Sequence, residues 1–257
     1  MSYCIIWKDN IEIKDIKKYL ETNITMSYND VSPDLVIVIG GDGTILRAIH
    51  DYPKAVIFGV NTGHLGFYTN YTVNDFDELV SDINSGDYHI ETLDLLTAEI
   101  YDNHEIIKVY ALNEVTVITP PRTLKLDVFI DDEYFERYRG TGICVSTPTG
   151  STGYNRSLGG SIIDTKINAL QLTEIAGINS NVYRTLASPF VLAHDRVITL
   201  SSIEPTELYV VYDNKSYKTE NLEKVVIYYE DNAARLAYHK HNFYINRLKR
   251  SFLNEKE

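Results

Sequence analysis

One short turn constrains the fold of this chain more than any other feature of the sequence. The apolar run from Leu35 to Ile39 is followed at once by the turn Gly40–Thr44, which reads G-G-D-G-T, and a segment with helical spacing comes next. A buried strand that ends in glycines and opens a helix directs backbone N–H groups toward whatever lies in front of the helix, commonly a phosphate. The sequence therefore predicts a strand–turn–helix unit with an anion-binding turn.

Asp42 stands in the middle of this turn. A carboxylate repels a phosphate unless a metal ion or a proton-donating hydroxyl lies between them, so Asp42 indicates chemistry as well as binding. The alternative is that Asp42 only caps the helix that begins here.

The segments around the turn predict a βαβαβ pattern. Strands are predicted at Tyr3–Trp7, Leu35–Ile39 and Ala55–Val60, and helical stripes at Ile13–Leu20, Ile45–Ile49 and Phe76–Ile83. This alternation favours a parallel sheet covered by helices, that is, a Rossmann-like α/β domain. An α+β mixture with antiparallel pairing is the alternative.

The pattern changes near residue 92. Strand-like runs separated by short polar turns follow, with Asp102–His104 and Asp131–Asp132 as hairpin turns, so a mainly antiparallel β-rich domain is expected. We predict an α/β domain over residues 1–92, with the tail 232–257 packing back on it, and a β-rich domain over residues 93–231.

The charge balance limits the partners. Lys and Arg total 24 against 36 Asp and Glu, and the net charge of −12 argues against a general binder of nucleic acid or of anionic membranes. Cys4 and Cys144 have neither zinc-site spacing nor a disulfide framework, which suits a reducing compartment. The apolar run that ends at Trp7 is too short for a signal peptide or a membrane span, so a cytoplasmic location is expected.

A second glycine-rich turn, Asn61–Phe67, follows the next predicted strand. Two such turns at the carboxyl end of a parallel sheet would lie side by side and form a ligand-binding crevice. His64 within this turn is, taken alone, more typical of a structural histidine than of a catalytic one.

Two further stretches carry polar groups suited to a ligand. Asn113 and Glu114 lie beside each other at a strand, and two successive strand residues reach one ligand only where the backbone kinks. The stretch Arg139–Asn155 runs from a strand into a hydroxyl-rich glycine turn, which brings a ligand close to uncharged donors. A solvated edge pair and a simple linker are the alternatives.

Together these residues resemble the NAD kinase family, the enzymes that make NADP from NAD. The motifs G-G-D-G-T, N-T-G-H-L-G-F, L-N-E and S-T-P-T-G-S-T-x-Y-N occur in the family's order, and the resemblance extends from about Asp34 to Asp213. Lipid kinases and phosphofructokinases share G-G-D-G-T but lack the signature at Thr147–Asn155.

The resemblance implies that Asp42 takes the proton of the 2′-hydroxyl of the adenosine ribose, or orients that hydroxyl, while ATP supplies the phosphoryl group. The ATP phosphates would be bound by Gly40, Gly41, Gly43 and Thr44. Mg²⁺ or another divalent cation would accompany ATP. No tightly bound prosthetic group is expected, and no residue is assigned as a metal ligand.

The resemblance also implies a dinucleotide site. Asn113 would hydrogen-bond the adenine and Glu114 the ribose, Ala176 would pack beside the site, and Asp213 would stand at its far edge. Arg139 matches a family arginine that reaches the dinucleotide from a neighbouring subunit, which suits a tetramer built through the second domain. The expected NAD-binding residues are Asp42, Gly43, Asn61, Asn113, Glu114, Arg139, Thr141, Thr152, Gly153, Tyr154, Ser157, Ala176 and Asp213.

Three positions depart from the family's pattern. Thr141 replaces the aspartate of a G-D-G sequence, Gly153 replaces an alanine, and Asn214 stands where glycine is common. We expect these changes to alter the grip on the nicotinamide carboxamide and the preference between NAD and NADH, without affecting phosphoryl transfer.

The sequence thus predicts an ATP-dependent NAD kinase whose partners are NAD, ATP and further copies of itself, with a tetramer favoured, and neither nucleic acid nor membrane. Two alternatives stay open at this point. One is a lipid or sugar kinase that shares the glycine turn. The other is an NAD-binding sensor without turnover, which Thr141 makes conceivable.

Overall fold

The computed structural model describes residues 1–8, 13–63, 66–119, 122–239 and 244–253. It divides into two compact units, one formed by Met1–Leu93 with Ala233–Glu257 and the other by Asp94–Asn232. The sequence places the first boundary after residue 92, and the first unit ends at Leu93.

The first unit begins with strands and helices in alternation. Its strands are β1 (Ser2–Trp7), β2 (Ser27–Tyr28), β3 (Leu35–Ile39), β4 (Val56–Asn61) and β5 (Tyr71–Thr72). Its helices over the same stretch are α1 (Lys14–Asn23), α2 (Asp42–Asp51) and α3 (Phe76–Ser85).

β3 is the central strand of this sheet because all five of its side chains are apolar and buried. A strand covered on both faces has a continuous apolar sequence, as is typical of parallel sheets. β1 and β4 flank β3, and every strand pair described in this unit is parallel. The predicted α/β fold is confirmed, and the antiparallel alternative for this unit is wrong.

The second unit is almost entirely β. Its elements are β6 (His89–Asp102), which begins in the first unit, β7 (Glu105–Ala111), β8 (Glu114–Ile118), β9 (Leu124–Ile130), β10 (Glu133–Gly140), β11 (Gly142–Ser146), α4 (Tyr154–Ser157), β12 (Ala169–Ile175), β13 (Phe190–Ala193), β14 (Ile198–Ser202), β15 (Leu208–Tyr212) and β16 (Lys215–Thr219). A last strand, β17 (Leu222–Tyr238), runs into the first unit, and α5 (Tyr244–Phe252) follows there.

Two antiparallel sheets form this unit. One has the order β10-β9-β14-β17, with β6 and β7 beyond β17, and the other has the order β13-β12-β11-β8-β15-β16. A single apolar cluster includes side chains of both sheets, among them Leu126 and Leu200 from the first and Val117 and Leu172 from the second. The predicted β-rich second domain is confirmed.

The hairpin turns have the backbone that the sequence predicts. Asn103, His104, Asp131 and Asp132 all have positive φ, between 49° and 66°. Two consecutive residues of this kind form the type I′ turn that matches the twist of a two-residue hairpin. No helix in the described ranges is long and apolar enough to cross a membrane.

Candidate active site

Asp42 is the first residue of α2, and Gly41 precedes it with an extended backbone. The Asp42 carboxylate does not turn back onto its own helix. Its Oδ2 accepts the Phe67 N–H at 2.8 Å and its Oδ1 accepts the Tyr68 N–H at 3.0 Å. The alternative in which Asp42 only caps α2 therefore does not hold, because the side chain joins two separate turns.

Each carboxylate oxygen can accept more than one hydrogen bond. The two backbone bonds therefore fix the orientation of Asp42 and still leave acceptor capacity on both oxygens. The side chain is half-buried, so a ligand hydroxyl can reach it. This is the geometry that a general base needs before substrate arrives.

The glycines of the two turns serve different purposes. A Cβ at Gly66 would overlap the Asp42 carboxylate and lie 2.7 Å from its Cγ, so only glycine permits this approach. A Cβ at Gly40 would lie 2.6 Å from Thr44 Oγ1. By contrast, a Cβ at Gly41 or Gly43 would meet no atom of the described residues within 4 Å. Packing does not require glycine at these last two positions, which leaves room for a ligand at the start of α2.

The two glycine-rich turns lie side by side, as the sequence predicts. The Gly40 N–H donates to the Val60 carbonyl at 2.8 Å. Asn61 is buried and organises the second turn, since its Oδ1 accepts the Gly63 N–H at 2.6 Å and its Nδ2 donates to Thr69 at 3.1 Å. His64 lies outside the described residues.

The C-terminal helix contributes to this site in a way that the motifs do not predict. Arg250 of α5 donates from Nη2 to the Gly66 carbonyl at 3.1 Å, next to the peptides that hold Asp42. The sequence does indicate this contact in one respect. Tyr244, Arg247 and Arg250 follow helical spacing, which places two basic residues on one face of the helix.

In the second unit, the bend before β8 carries Asn113 and Glu114. The Asp213 carboxylate accepts the Leu112 N–H at 2.9 Å and the Asn113 N–H at 2.7 Å. Thr147 donates its N–H to the Asn113 carbonyl at 2.9 Å. Asn113 lies in the bend and Glu114 is the first residue of β8, so the two are not successive positions of one strand. The backbone therefore bends at the point where both side chains would have to reach one ligand. The Asp213 side chain thus supports the bend by accepting hydrogen bonds from the backbone of Leu112 and Asn113.

Glu114 is a partly buried acid in this region. Its Oε2 is buried and makes no hydrogen bond to any described residue. Burial, and then the nearby Asp213 carboxylate, raise the pKa of Glu114 from 4.5 to about 8. Burial and then Glu114 also raise the pKa of the Cys144 thiol to about 12. Around neutral pH, Glu114 is therefore largely protonated and able to donate a hydrogen bond.

The hydroxyl-rich turn continues this cluster. Residues Gly150–Thr152 form a single 3₁₀ turn that leads through Gly153 into α4. A Cβ at Gly153 would lie 3.7 Å from Glu114 Oε2. Burial, then Cys144 and Glu114, raise the pKa of the half-exposed Tyr154. Ser157 ends α4 as an exposed residue.

Three expected residues form a separate group at the other end of β11. The Arg139 guanidinium stacks on the Tyr183 ring at 3.8 Å, Thr141 donates its N–H to the Ile175 carbonyl at 2.9 Å, and Ala176 has a φ of 50°. β11 has five residues, so this group lies roughly 16 Å along the strand from the Glu114 cluster. The second unit thus presents two separated polar groups.

Among the residues that the structure describes, no group of three or more His, Cys, Asp or Glu side chains could hold a metal ion. Mg²⁺ commonly binds through one or two carboxylates together with substrate phosphates. The donor set at the turn, with Asp42 as its carboxylate, fits a divalent ion that takes most of its ligands from the phosphates of a bound molecule.

Comparison with known proteins identifies the family. Residues 8–88 match the family model described as ATP-NAD kinase N-terminal domain, and residues 112–230 match the ATP-NAD kinase C-terminal domain. The chain belongs to the NAD kinase family. The resemblance found in the motifs is confirmed, and sharing one turn with lipid and sugar kinases does not make the chain one of them.

Members of the NAD kinase family align with almost the whole chain. The NAD kinase of Lactobacillus gasseri is 35% identical over an alignment of 268 residues, gaps included. The alignment covers 99% of this chain and 98% of the relative. The NAD kinase of Enterococcus faecalis is 37% identical over 268 residues, with 99% and 100% covered.

Solved structures of NAD kinase relatives share the fold. Yeast NADH kinase complexed with NADH superposes with a TM-score of 0.83 at 18% identity, covering 100% of this chain and 89% of that one. An NAD kinase from Archaeoglobus fulgidus in complex with ATP has a TM-score of 0.77 at 24% identity, with 97% and 99% covered.

Proposed function

We propose that this chain transfers the γ-phosphoryl group of ATP to the 2′-hydroxyl of the adenosine ribose of NAD, giving NADP and ADP, with Asp42 as the catalytic base. Membership of the NAD kinase family supports the reaction. The observation that carries the role of Asp42 is its carboxylate, held on both oxygens by the N–H groups of Phe67 and Tyr68 at the first residue of α2.

In this mechanism the ribose hydroxyl donates a hydrogen bond to an Asp42 oxygen. The 2′-oxygen attacks the γ-phosphorus, its proton passes to Asp42, and the bond to the β–γ bridging oxygen breaks so that ADP leaves. Phosphoryl transfer depends mainly on positioning and charge neutralisation, so a fixed carboxylate is sufficient as the base.

The ATP phosphates would lie at the start of α2, near Gly40, Gly41, Gly43 and Thr44. The N-terminal end of a helix favours negative charge, and Gly43 is exposed there. A divalent cation bound with ATP would neutralise charge on the phosphates. The open space at Gly41 and Gly43 supports the close approach of the nucleotide.

The second unit would bind the dinucleotide. Asn113 would hydrogen-bond the adenine and Glu114 the ribose, and a protonated Glu114 suits a group that faces a ligand acceptor. Gly153 and Tyr154 lie close to Glu114 in the structure, and Thr152 directly precedes them in the chain, which supports one shared site.

The remaining dinucleotide contacts would come from Ser157, Thr141, Ala176 and Asn61. Asp213 would act on the site through the bend that it supports. Arg139 would reach the dinucleotide of a neighbouring subunit, in a tetramer built through the second unit. The enzyme would act in the cytoplasm, without nucleic acid or membrane.

The test is an endpoint assay for NADP with ATP, Mg²⁺ and NAD, run on the natural chain and on Asp42→Asn. We expect the variant to lose turnover by about 10³-fold, as general-base removal commonly does. An amide offers only one acceptor oxygen, so one of the two N–H groups loses its partner at a cost of about 1–3 kcal/mol.

The assay temperature should therefore lie well below the melting point of both proteins. Retained turnover in Asp42→Asn would remove Asp42 from the mechanism. NAD binding by calorimetry without any NADP from the natural chain would favour the sensor, and transfer to a lipid or sugar would favour the other kinases.

A further inference from the structure

Arg250 lies one hydrogen bond away from the peptides that hold Asp42. Its Nη2 donates to the Gly66 carbonyl at 3.1 Å. Gly66 immediately precedes Phe67 and Tyr68, whose N–H groups bind the Asp42 carboxylate. Any shift of the Gly66 peptide therefore moves the donors that orient the carboxylate.

The helix that carries Arg250 is itself firmly fixed. Arg247 is 3% exposed and donates from Nη2 to both Glu91 oxygens, at 3.2 and 2.9 Å. The Phe67 ring lies 5.9 Å from the Tyr244 ring and 6.5 Å from the Phe252 ring. α5 thus packs on the same short segment through rings as well as through Arg250.

The surroundings of Arg250 do not suit a purely stabilising role. Its Nε is buried and makes no hydrogen bond to a described residue. Such a donor costs a protein about 1–3 kcal/mol. Burial and the Arg247 guanidinium lower the pKa of Arg250, and the nearby Asp42 carboxylate opposes that shift. Among the described residues, the contacts that favour the Arg250 cation are the Gly66 carbonyl and the Asp42 carboxylate, so its compensation lies in the region around Asp42.

We infer that Arg250 is a positioning residue for phosphoryl transfer, which fixes the Gly66 peptide and so holds the Asp42 carboxylate in its reactive orientation. The inference rests on the role proposed for Asp42. A residue that acts in this way affects the chemical step more than the binding of either substrate. A displacement of about 1 Å at a reacting group can cost up to 10²-fold in rate.

The experiment compares Arg250→Met, Arg250→Lys and the control Lys249→Met by steady-state kinetics with NAD and ATP. Lys249 is exposed on the same helix, so its replacement removes an equal charge without touching Gly66. We expect Arg250→Met to lower kcat by about 30-fold, with KM for NAD and ATP changed less than about twofold. Arg250→Lys should recover most of kcat, and Lys249→Met should match the natural chain.

Two readouts separate positioning from folding. The melting temperature of Arg250→Met should stay within about 2 °C of the natural value or rise, because a buried unpaired donor is removed. Guanidinium chloride, at concentrations too low to unfold the protein, should restore part of kcat in Arg250→Met and not in Lys249→Met. Arg250→Gln, with the same kcat loss expected, provides a second variant if the methionine variant does not fold.

The outcomes distinguish this inference from the proposed function. Unchanged kcat in Arg250→Met, with Asp42→Asn inactive, would overturn the role of Arg250 alone. An active Asp42→Asn would overturn the role of Asp42. A rise in KM for ATP without a fall in kcat would make Arg250 a nucleotide-binding residue. If Arg250 acts through Asp42, adding Arg250→Met to Asp42→Asn should lower the residual rate by less than about twofold.

Discussion

Asp42 and Glu114 are both acidic side chains beside glycine-rich turns, one in each unit, and their surroundings are opposite. Asp42 is half-buried, accepts two backbone N–H groups and lies near the Arg250 guanidinium. Glu114 has a buried oxygen without a partner among the described residues and faces the Asp213 carboxylate. Two backbone donors hold the Asp42 carboxylate in one orientation and leave acceptor capacity on its oxygens, whereas burial and a like charge favour the neutral acid at Glu114. The same chemical group is thus suited to accept a proton in one unit and to donate a hydrogen bond in the other.

Among changes that leave Asp42 itself in place, the largest expected effect comes from displacing its carboxylate. In Gly66→Ala, the added Cβ would lie 2.7 Å from Asp42 Cγ, so the carboxylate or the Phe67 peptide must move. We expect kcat to fall by about 10²-fold or more while NAD binding, measured by calorimetry, is retained.

Gly63→Ala is the matched control for this change. Within the described part of the chain, a Cβ there would have only Asn61 Oδ1 within reach, at 4.0 Å, and Gly63 does not have a left-handed backbone. Its kcat should stay within about threefold of the natural value. Equal losses in both variants would mean that the turn as a whole, and not the Asp42 contact, sets the rate.

The second prediction concerns the pH dependence of stability in Glu114→Gln. Because the pKa of Glu114 is raised from 4.5 to about 8 in the folded chain, the folded state holds a proton that the unfolded chain has released between these two pH values. The contribution of Glu114 to the free energy of unfolding is therefore fully present below pH 4.5 and falls as the pH rises to about 8. Above that pH it is constant. A shift of this size corresponds to a few kcal/mol.

Glu114→Gln should remove the fall in stability that Glu114 causes between pH 4.5 and about pH 8. The difference in unfolding free energy, variant minus natural chain, should therefore be larger at pH 8 than at pH 5. Denaturant unfolding across this pH range measures the difference. Glu220→Gln, at an exposed position, is the control. Parallel pH curves for Glu114→Gln and the natural chain would show that Glu114 is ionised in the folded state.

The sequence predicted the strands whose burial follows from apolar residues. Leu35–Ile39 has the predicted bounds, and the predicted strands Tyr3–Trp7 and Ala55–Val60 differ from β1 and β4 by no more than one residue at either end, because a continuous apolar pattern reports burial directly. It did not predict Ala169–Ile175, a strand in which two of the three polar residues, Gln171 and Thr173, are buried. Gln171 exchanges hydrogen bonds with Ser161 at 2.8 and 3.0 Å, and Thr173 donates to Asn155 at 2.7 Å. Polar groups that are satisfied inside the unit do not appear in a hydropathy pattern.

The same limit applies to the site. The glycines around Asp42 are adjacent in sequence, and their spacing alone predicted the turn. The hydrogen bond from Arg250 to Gly66 spans 184 residues, and no local pattern encodes it. The partnership of Asp213 with the Asn113 bend spans 100 residues and was likewise expected only as a distant edge of the site. Contacts of this range follow from the tertiary fold.

The third prediction separates binding from stability at the Asp42 turn. In Gly43→Ala, the added Cβ meets no atom within 4 Å among the residues that the structure describes. Alanine in a helix is favoured over glycine by about 0.5–1 kcal/mol, so the variant should be more stable. We expect KM for ATP to rise about tenfold, because the new methyl group occupies the space left for the phosphates. Greater stability with an unchanged KM for ATP would place the triphosphate elsewhere.

The smallest expected effect is at Thr141, far along β11 from Glu114. Its backbone is held on both sides, since Thr141 donates to Ile175 at 2.9 Å and accepts from Thr119 at 3.0 Å, so a substitution changes the side chain and little else. Oxidised nicotinamide carries a positive charge that the reduced ring lacks. A carboxylate at this position should therefore favour NAD over NADH by about 1 kcal/mol, or roughly fivefold in kcat/KM. Kinetics of Thr141→Asp with both dinucleotides measure this preference, and Thr141→Asn controls for size without charge. Unchanged constants in Thr141→Asp would remove Thr141 from the dinucleotide site and leave the Glu114 cluster as the part of the second unit that contacts NAD.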